Sequence, residues 1–155
     1  MKANIYIRLL QKEEAIPYGL LLLADEEMQA IEKYIHESSI YVAKQNDTMV
    51  GVYVVFPVNE QTAEIKAIAV DEFFQNLGIG KFMLEDATAR AIQNGFTELI
   101  IGTPTTAKKQ LAIYKQAGFI QYDVKKDFFI ANYFQPIFED GVQLTDMAML
   151  RKTLT

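Results

Sequence analysis

Cysteine is missing from the 155-residue sequence, and histidine occurs once, as His36. Without cysteine there is no disulfide, no thiolate metal site and no cysteine nucleophile. A single histidine cannot build a zinc site, and no other metal-ligand cluster stands out, so no metal is expected. His36 falls near the end of an expected helix, where an imidazole suits terminal carbonyls better than catalysis. Long basic stretches are missing too, and the formal net charge is −5. Nucleic acid is therefore not an expected partner, because phosphate contacts need clustered Lys and Arg. An acidic balance instead favours a cationic partner. The apolar stretch Leu20 to Ala24 is far too short to cross a bilayer. Arg8 separates Ile5-Tyr6-Ile7 from Leu9-Leu10, which leaves no secretory signal core. The expectation is a cytoplasmic protein without a membrane partner.

Half of the residues are hydrophobic and 23% are charged, as in an ordinary globular protein. Residues 1–155 are expected to form one domain with room for a sizeable core. Asn4 to Leu10 has the apolar, β-branched character of a first strand. Pro17 and Gly19 interrupt the pattern, so a helix near Glu13 is short or broken. Asp25 can cap a helix reaching about Glu37, with Met28, Ile31 and Ile35 on one face. Ile40 to Lys44 and Met49 to Phe56 form a hairpin about Asn46-Asp47. After Pro57 and Asn59, Ala63 to Val70 is a further strand, which makes an antiparallel meander.

The period then changes. Ile79, Phe82, Met83, Ala87 and Ala91 recur at helical spacing from Gly78 to Asn94, and Gly95 is a stop. Leu99 to Ile101 is a short, continuously apolar strand of the buried kind. Thr105 or Thr106 can cap a helix with Ala107, Leu111 and Tyr114 on one face, ended by Gly118. Phe119 to Val124 is strand-like, and Asp146 to Leu154 supplies a last strand. The whole is a mixed α/β arrangement around one central sheet.

The informative stretch runs from Glu64 to Lys81: a strand, a loop with two glycines, and the start of a helix. First-turn amides of a helix have no internal partner, and the helix dipole is positive there, so the site suits a pyrophosphate. Gly78 and Gly80 allow the backbone close to a phosphate, and Lys81 adds charge. A plain tight turn explains the same two glycines. The dinucleotide fingerprint needs a third glycine, and a P-loop needs Gly-Lys-Ser/Thr; neither is present.

Gln75-Asn76-Leu77-Gly78-Ile79-Gly80 resembles the Gln/Arg-x-x-Gly-x-Gly/Ala signature of the GCN5-related N-acetyltransferase (GNAT) superfamily. Glu64 to Val70 is similar to that family's fourth strand, and Leu111 to Phe119 to its helix ending in Tyr-x-x-x-Gly-Phe. The order of elements agrees over roughly residues 4 to 124. The resemblance implies the acyl-CoA N-acyltransferase fold. That fold is a central mixed sheet of about seven strands, splayed between the fourth and fifth, with helices on both faces.

The resemblance also implies acetyl-CoA as cosubstrate and direct transfer to an amine. By position, the backbones of Ile68, Ala69 and Val70 would bond the pantetheine arm, and Gln75, Asn76, Leu77, Gly78, Ile79, Gly80 and Lys81 would hold the pyrophosphate. Tyr114 matches the tyrosine that serves the departing thiolate; its alternative is a core aromatic. Glu64 matches the strand glutamate that acts as base in one branch, and its alternative is a solvated strand residue. Thr103-Pro104-Thr105 departs from the family by lacking the asparagine that many members place after the fifth strand. A CoA-binding sensor or interaction module on the same fold is the rival to an enzyme.

The tail holds Phe128, Phe129, Tyr133, Phe134 and Phe138, which suit core or homodimer contacts better than a substrate cage. Glu139, Asp140 and Asp146 form a solvated turn or select a cationic substrate. The acceptor site is expected from the segments Pro17 to Glu37 and Lys125 to Gly141.

Overall fold

β-branched and aromatic residues dominate the first half of the chain, and in the computed structural model, which describes residues 4–155, they pair as a meander. Its strands are β1 (Ile5–Leu9), β2 (Ser39–Gln45), β3 (Thr48–Pro57) and β4 (Thr62–Val70), each antiparallel to the next. Asn46 makes the β2–β3 turn in the left-handed region, with φ 55°, a conformation that asparagine tolerates better than most residues. The chain then alternates helix and strand through α3 (Ile79–Gln93), β5 (Glu98–Pro104), α4 (Lys108–Gln116) and β6 (Ile120–Lys125). Short elements precede and follow: α1 (Tyr18–Ala24) and α2 (Met28–Glu32), then α5 (Phe128–Asn132), the small hairpin β7 (Phe138–Glu139) and β8 (Val142–Gln143), and finally β9 (Met147–Thr153).

The seven-stranded sheet has the order β1-β2-β3-β4-β5-β9-β6, with β4 and β5 parallel. Helices cover both faces. On one face α3 and α4 pack with Ile65, Leu99, Ile101 and Leu150 around the ring of Phe119. The buried residues Ile79, Met83, Ala87 and Ala91 of α3 fall four apart, the spacing of one helical stripe. Burying the larger of these contributes roughly 1.5–3 kcal/mol each. On the opposite face Leu21 of α1 and Ile31 of α2 pack on Val42, Val52, Val54, Ala67 and Ala69. A third, small cluster of Phe129, Ile137 and Leu144 lies under the tail.

Two cap expectations are overturned, and two further features complete the fold. Asp25 does not cap a helix to Glu37. It ends α1 in extended conformation, and two short pieces follow, α2 and a single 3₁₀ turn at Ile35–Glu37. Its carboxylate is taken by the hydroxyls of Tyr34 and Tyr133, leaving it no amide to cap. No helix forms near Glu13, in line with the break at Pro17; Pro17 sits just ahead of α1, where its missing N–H is not needed. Neither Thr105 nor Thr106 caps α4; Ala107 occupies that position without a side-chain bond. Finally, β9 inserts between β5 and β6, so these two strands never meet.

One irregularity matters for the site. β3 pairs Val54 with Ala67 and Val55 with Ile65, so Lys66 is an extra, bulged residue. A bulge shifts the alternation of faces by one. Ala63 and Ile65 accordingly join the α3 face, whereas Ala67 and Ala69 join the α1 face.

Candidate active site

The parallel ladder between β4 and β5 is short. It runs from Thr62↔Glu98 to Ile65↔Ile101 and stops. The next residue of β4 is the bulged Lys66, and from there to Val70 the β5-facing edge of β4 has no strand partner. Beyond Ile101, β5 keeps its ladder to β9 only. The sheet therefore splays where the bulge bends β4, and the free backbone edge of Ile68, Ala69 and Val70 borders the gap. An open edge inside a sheet offers unpaired amides and carbonyls to an extended ligand.

At the end of β4, Asp71 caps a 3₁₀ turn through the amide of Phe73. Gln75, Asn76, Leu77 and Gly78 form an exposed loop, with the Gln75 amide donating to the Val70 carbonyl at 3.1 Å. Asn76 and Gly78 hold positive φ, 63° and 84°. Gly78 then caps α3, whose first amides, at Ile79, Gly80 and Lys81, have no partner in the preceding loop. Gly80 is informative because nothing in the protein requires it to be glycine. A β-carbon there meets only Val70 Cγ2, at 4.0 Å, and the backbone is not left-handed. Its open side is thus a cradle without a protein neighbour. Lys109, from the first turn of α4, reaches Asn76 Oδ1 at 3.4 Å and brings a second cation to the loop beside Lys81. Oriented amides, a helix N-terminus and two lysines suit a bound pyrophosphate.

Tyr114 lies in the core on the α3 face and is 8% exposed, with its ring 6.3 Å from that of Phe119. Burial pushes its hydroxyl up to about 12. The hydroxyl has no partner among the described residues, and it is not sealed from solvent. It therefore stays protonated at neutral pH and is available to donate. Glu64 lies on the paired part of β4, half-buried, with Oε1 3.4 Å from Lys66 Nζ.

On the α1 face the gap opens into a cavity of about 90 Å³. Lys66 of β4 and Gly102 and Pro104 of β5 form its floor. Asp25, Glu26 and Glu139 bring carboxylates to its wall, and Tyr133 and Phe129 stack beside them at 5.5 Å between ring centroids. Burial raises the Asp25 carboxyl, and burial with the neighbouring Glu139 raises that of Glu26. Burial likewise raises Glu139, with Asp140 adding to it. The tail that roofs the cavity is tied down by Glu27, whose carboxylate accepts from the amides of Phe134 and Gln135 at 3.1 Å.

A splayed β4–β5 gap with an amide-rich helix start on one side and a cavity on the other can hold an extended thioester and an acceptor together. The Acetyltransferase (GNAT) family profile matches residues 7–119, from β1 to the end of the α4 region. The chain belongs to the GNAT acetyltransferase family. A GNAT family acetyltransferase from Elizabethkingia anophelis, solved with acetyl-CoA bound, is 42% identical and aligns with a TM-score of 0.96 over 99% of this chain and 100% of its own. A Bacillus subtilis acetyltransferase in complex with CoA is 36% identical, with a TM-score of 0.89 over 97% of this chain and 99% of its own. An uncharacterized N-acetyltransferase of Bacillus subtilis strain 168, YvbK, is 38% identical over 133 residues, 86% of each protein. The enzyme is an acetyl-CoA-dependent acetyltransferase, and acetyl-CoA is its cosubstrate.

In this GNAT enzyme the loop from Gln75 to Lys81 and the edge from Ile68 to Val70 are brought to one end of the splay. Glu64 is not among the residues lining the cavity on the α1 face. Asp140 lies in the β7–β8 turn, and Asp146 receives the amide of Asp127, so of the three tail acids Glu139 alone faces the cavity. His36 meets the Glu32 carboxylate at 3.0 Å rather than helix-end carbonyls. Of the tail aromatics, Phe129 is buried while Phe134 and Phe138 are exposed. Asp25, Tyr133 and Lys109 carry no local motif and are found only by folding. Among the described residues no group of three or more His, Cys, Asp or Glu is placed to hold a metal ion, and no helix is long and apolar enough to cross a membrane.

Proposed function

We propose that this GNAT enzyme moves the acetyl group of acetyl-CoA directly to the primary amine of a small cationic acceptor. The observation that carries the proposal is the cavity at the splay. It is small, roofed by the tail, and lined by Asp25, Glu26 and Glu139 against Lys66, the one cation among its described lining residues. Such a wall favours a cation, and its size favours a small molecule over a protein amine. The lack of cysteine, together with dependence on a cellular thioester, supports a cytoplasmic setting.

The residue roles follow from position. The free edge of Ile68, Ala69 and Val70 bonds the pantetheine arm. Gln75, Asn76, Leu77, Gly78, Ile79, Gly80 and Lys81 hold the pyrophosphate, with Lys109 beside them. The neutral amine attacks the thioester carbon from the cavity side, the new C–N bond forms, the C–S bond breaks, and the nitrogen gives up one proton as the sulfur gains one. Backbone amides at the splay offset charge developing on the carbonyl oxygen, and Tyr114 donates to the departing thiolate. Glu64 is held by Lys66, which suits it to positioning that lysine at the cavity floor.

The test is thiol release from acetyl-CoA over a panel of small diamines, monoamines, amino acids and lysine peptides. Turnover highest with small cationic amines supports the proposal. Tight acetyl-CoA binding by calorimetry with no turnover of any amine would return the chain to a CoA-binding module.

A further inference from the structure

Acetyl transfer needs the acceptor as a free amine, yet an alkylamine is an ammonium ion at neutral pH, so the site must take a proton from it. Given the amine acceptor proposed above, the structure narrows which group does this. Of the groups lining the cavity, Asp25 is the one whose carboxylate is both largely buried and linked to a second cavity group. Its Oδ1 accepts the Tyr133 hydroxyl at 2.5 Å, and its Oδ2 accepts the Tyr34 hydroxyl at 3.3 Å. Tyr133 lines the cavity too, and because its proton points to Asp25 the lone pairs of its oxygen are left to accept a further hydrogen bond.

We propose that Tyr133 and Asp25 form the proton relay of this enzyme. The ammonium hydrogen-bonds to the Tyr133 oxygen. Its proton passes to that oxygen as the Tyr133 proton passes to Asp25. The balance closes without another reactant: the amine loses one proton, the tyrosine remains a phenol, and Asp25 becomes a carboxylic acid that later returns the proton to solvent. The acetylated nitrogen carries no charge and no longer donates a proton to the Tyr133–Asp25 pair.

The surroundings of Asp25 fit this role. Lys66 faces it from β4 and favours the carboxylate, while Glu27 on its own segment opposes it. Tyr34 holds the second oxygen and fixes the carboxylate plane. Glu26 and Glu139 line the same cavity without a phenol to link them and are suited to hold the rest of a cationic acceptor. Burial raises Asp25, which brings a carboxylate closer to the range useful for accepting a proton.

The experiment is the pH dependence of kcat/KM for Tyr133→Phe and Asp25→Asn, with the best amine of the panel. The relay lets wild-type enzyme use the protonated amine, so its acidic limb lies well below the amine's own pKa of about 10. Either variant is expected to lose roughly 10²-fold at pH 7, to shift that limb up towards the amine's pKa, and to regain most of the loss near pH 10. Tyr133→Phe removes one oxygen and leaves Asp25 bonded to Tyr34, so it reports even if Asp25→Asn folds poorly. A loss that is uniform across pH, or a wild-type profile in Tyr133→Phe, overturns the relay while leaving amine acetylation intact. Wild-type protein that binds acetyl-CoA but turns over no amine overturns the amine reading and the relay with it.

Discussion

The Tyr133 hydroxyl donates to the Asp25 carboxylate across 108 residues of chain, joining the tail to the end of α1. Two further contacts make the same junction: Lys33 Nζ donates to the Asn132 carbonyl at 3.2 Å, and Glu27 takes the amides of Phe134 and Gln135. The roof of the cavity is thus held by side chains of the α1–α2 region rather than by a strand ladder.

Glu27→Ala is expected to loosen that roof. Hydrogen bonds to a charged group contribute roughly 1.5–3 kcal/mol. Amide exchange at Phe134 and Gln135 should rise at least tenfold, and the KM for amine should rise with it, while acetyl-CoA affinity stays at the wild-type value. Exchange rates that do not change would mean the roof is held without Glu27, by the Tyr133–Asp25 and Lys33–Asn132 bonds and by packing of Phe129 and Ile137.

Gly80→Leu separates folding from binding. The position has space within the protein, and a helical glycine is a poor helix former. The melting temperature should hold or rise. Acetyl-CoA binding by calorimetry should weaken at least tenfold, about 1.4 kcal/mol, because the side chain fills the cradle. Wild-type affinity would remove the pyrophosphate from this loop.

Tyr114→Phe is expected to lower kcat by roughly 10- to 100-fold with little change in acetyl-CoA affinity. Tyr114 titrates near 12, so it should add no limb to the pH profile between pH 6 and 9. Pre-steady-state thiol release is the decisive readout, since an unchanged chemical step would leave Tyr114 as a core aromatic beside Phe119.

Glu14 offers a pH test far from the site. Arg8 bonds both of its oxygens, at 2.7 and 2.8 Å, and the Gln11 amide adds a third bond. The Arg8 guanidinium, followed by that amide, lowers Glu14 from 4.5 to about 2. A carboxyl lowered on folding contributes stability above its unfolded pKa and loses it as pH falls through the folded one. Glu14→Gln should therefore melt below wild type at pH 6, with the gap closing between about pH 4.5 and pH 2. A gap that persists at pH 2 would point to shape rather than charge.

The shape of the loop proposed to hold the cofactor was legible in the sequence because it is local. β4, the glycine loop and the α3 stripe are read from neighbouring residues, and Gly78 at positive φ confirms the turn that its position implied. The acceptor side was legible only as two segments. Asp25 followed a local capping rule that a tyrosine 108 residues away overrides. The bulge at Lys66 exists only relative to the register of β3, so no property of β4 alone reveals it. The place of β9 between β5 and β6 is likewise a matter of long-range pairing.

The short β4–β5 ladder has a kinetic consequence. Ending after four rungs, it leaves the free edge of Ile68 to Val70 leading to the start of α3 on one side and the cavity under the tail on the other, so the proposed donor and acceptor approach from different sides. A donor and an acceptor that do so need not wait for each other to leave. Initial rates at several fixed concentrations of acetyl-CoA should then give double-reciprocal lines that intersect, the pattern of a ternary complex, where an acetylated-enzyme intermediate that releases CoA before the amine enters would make them parallel.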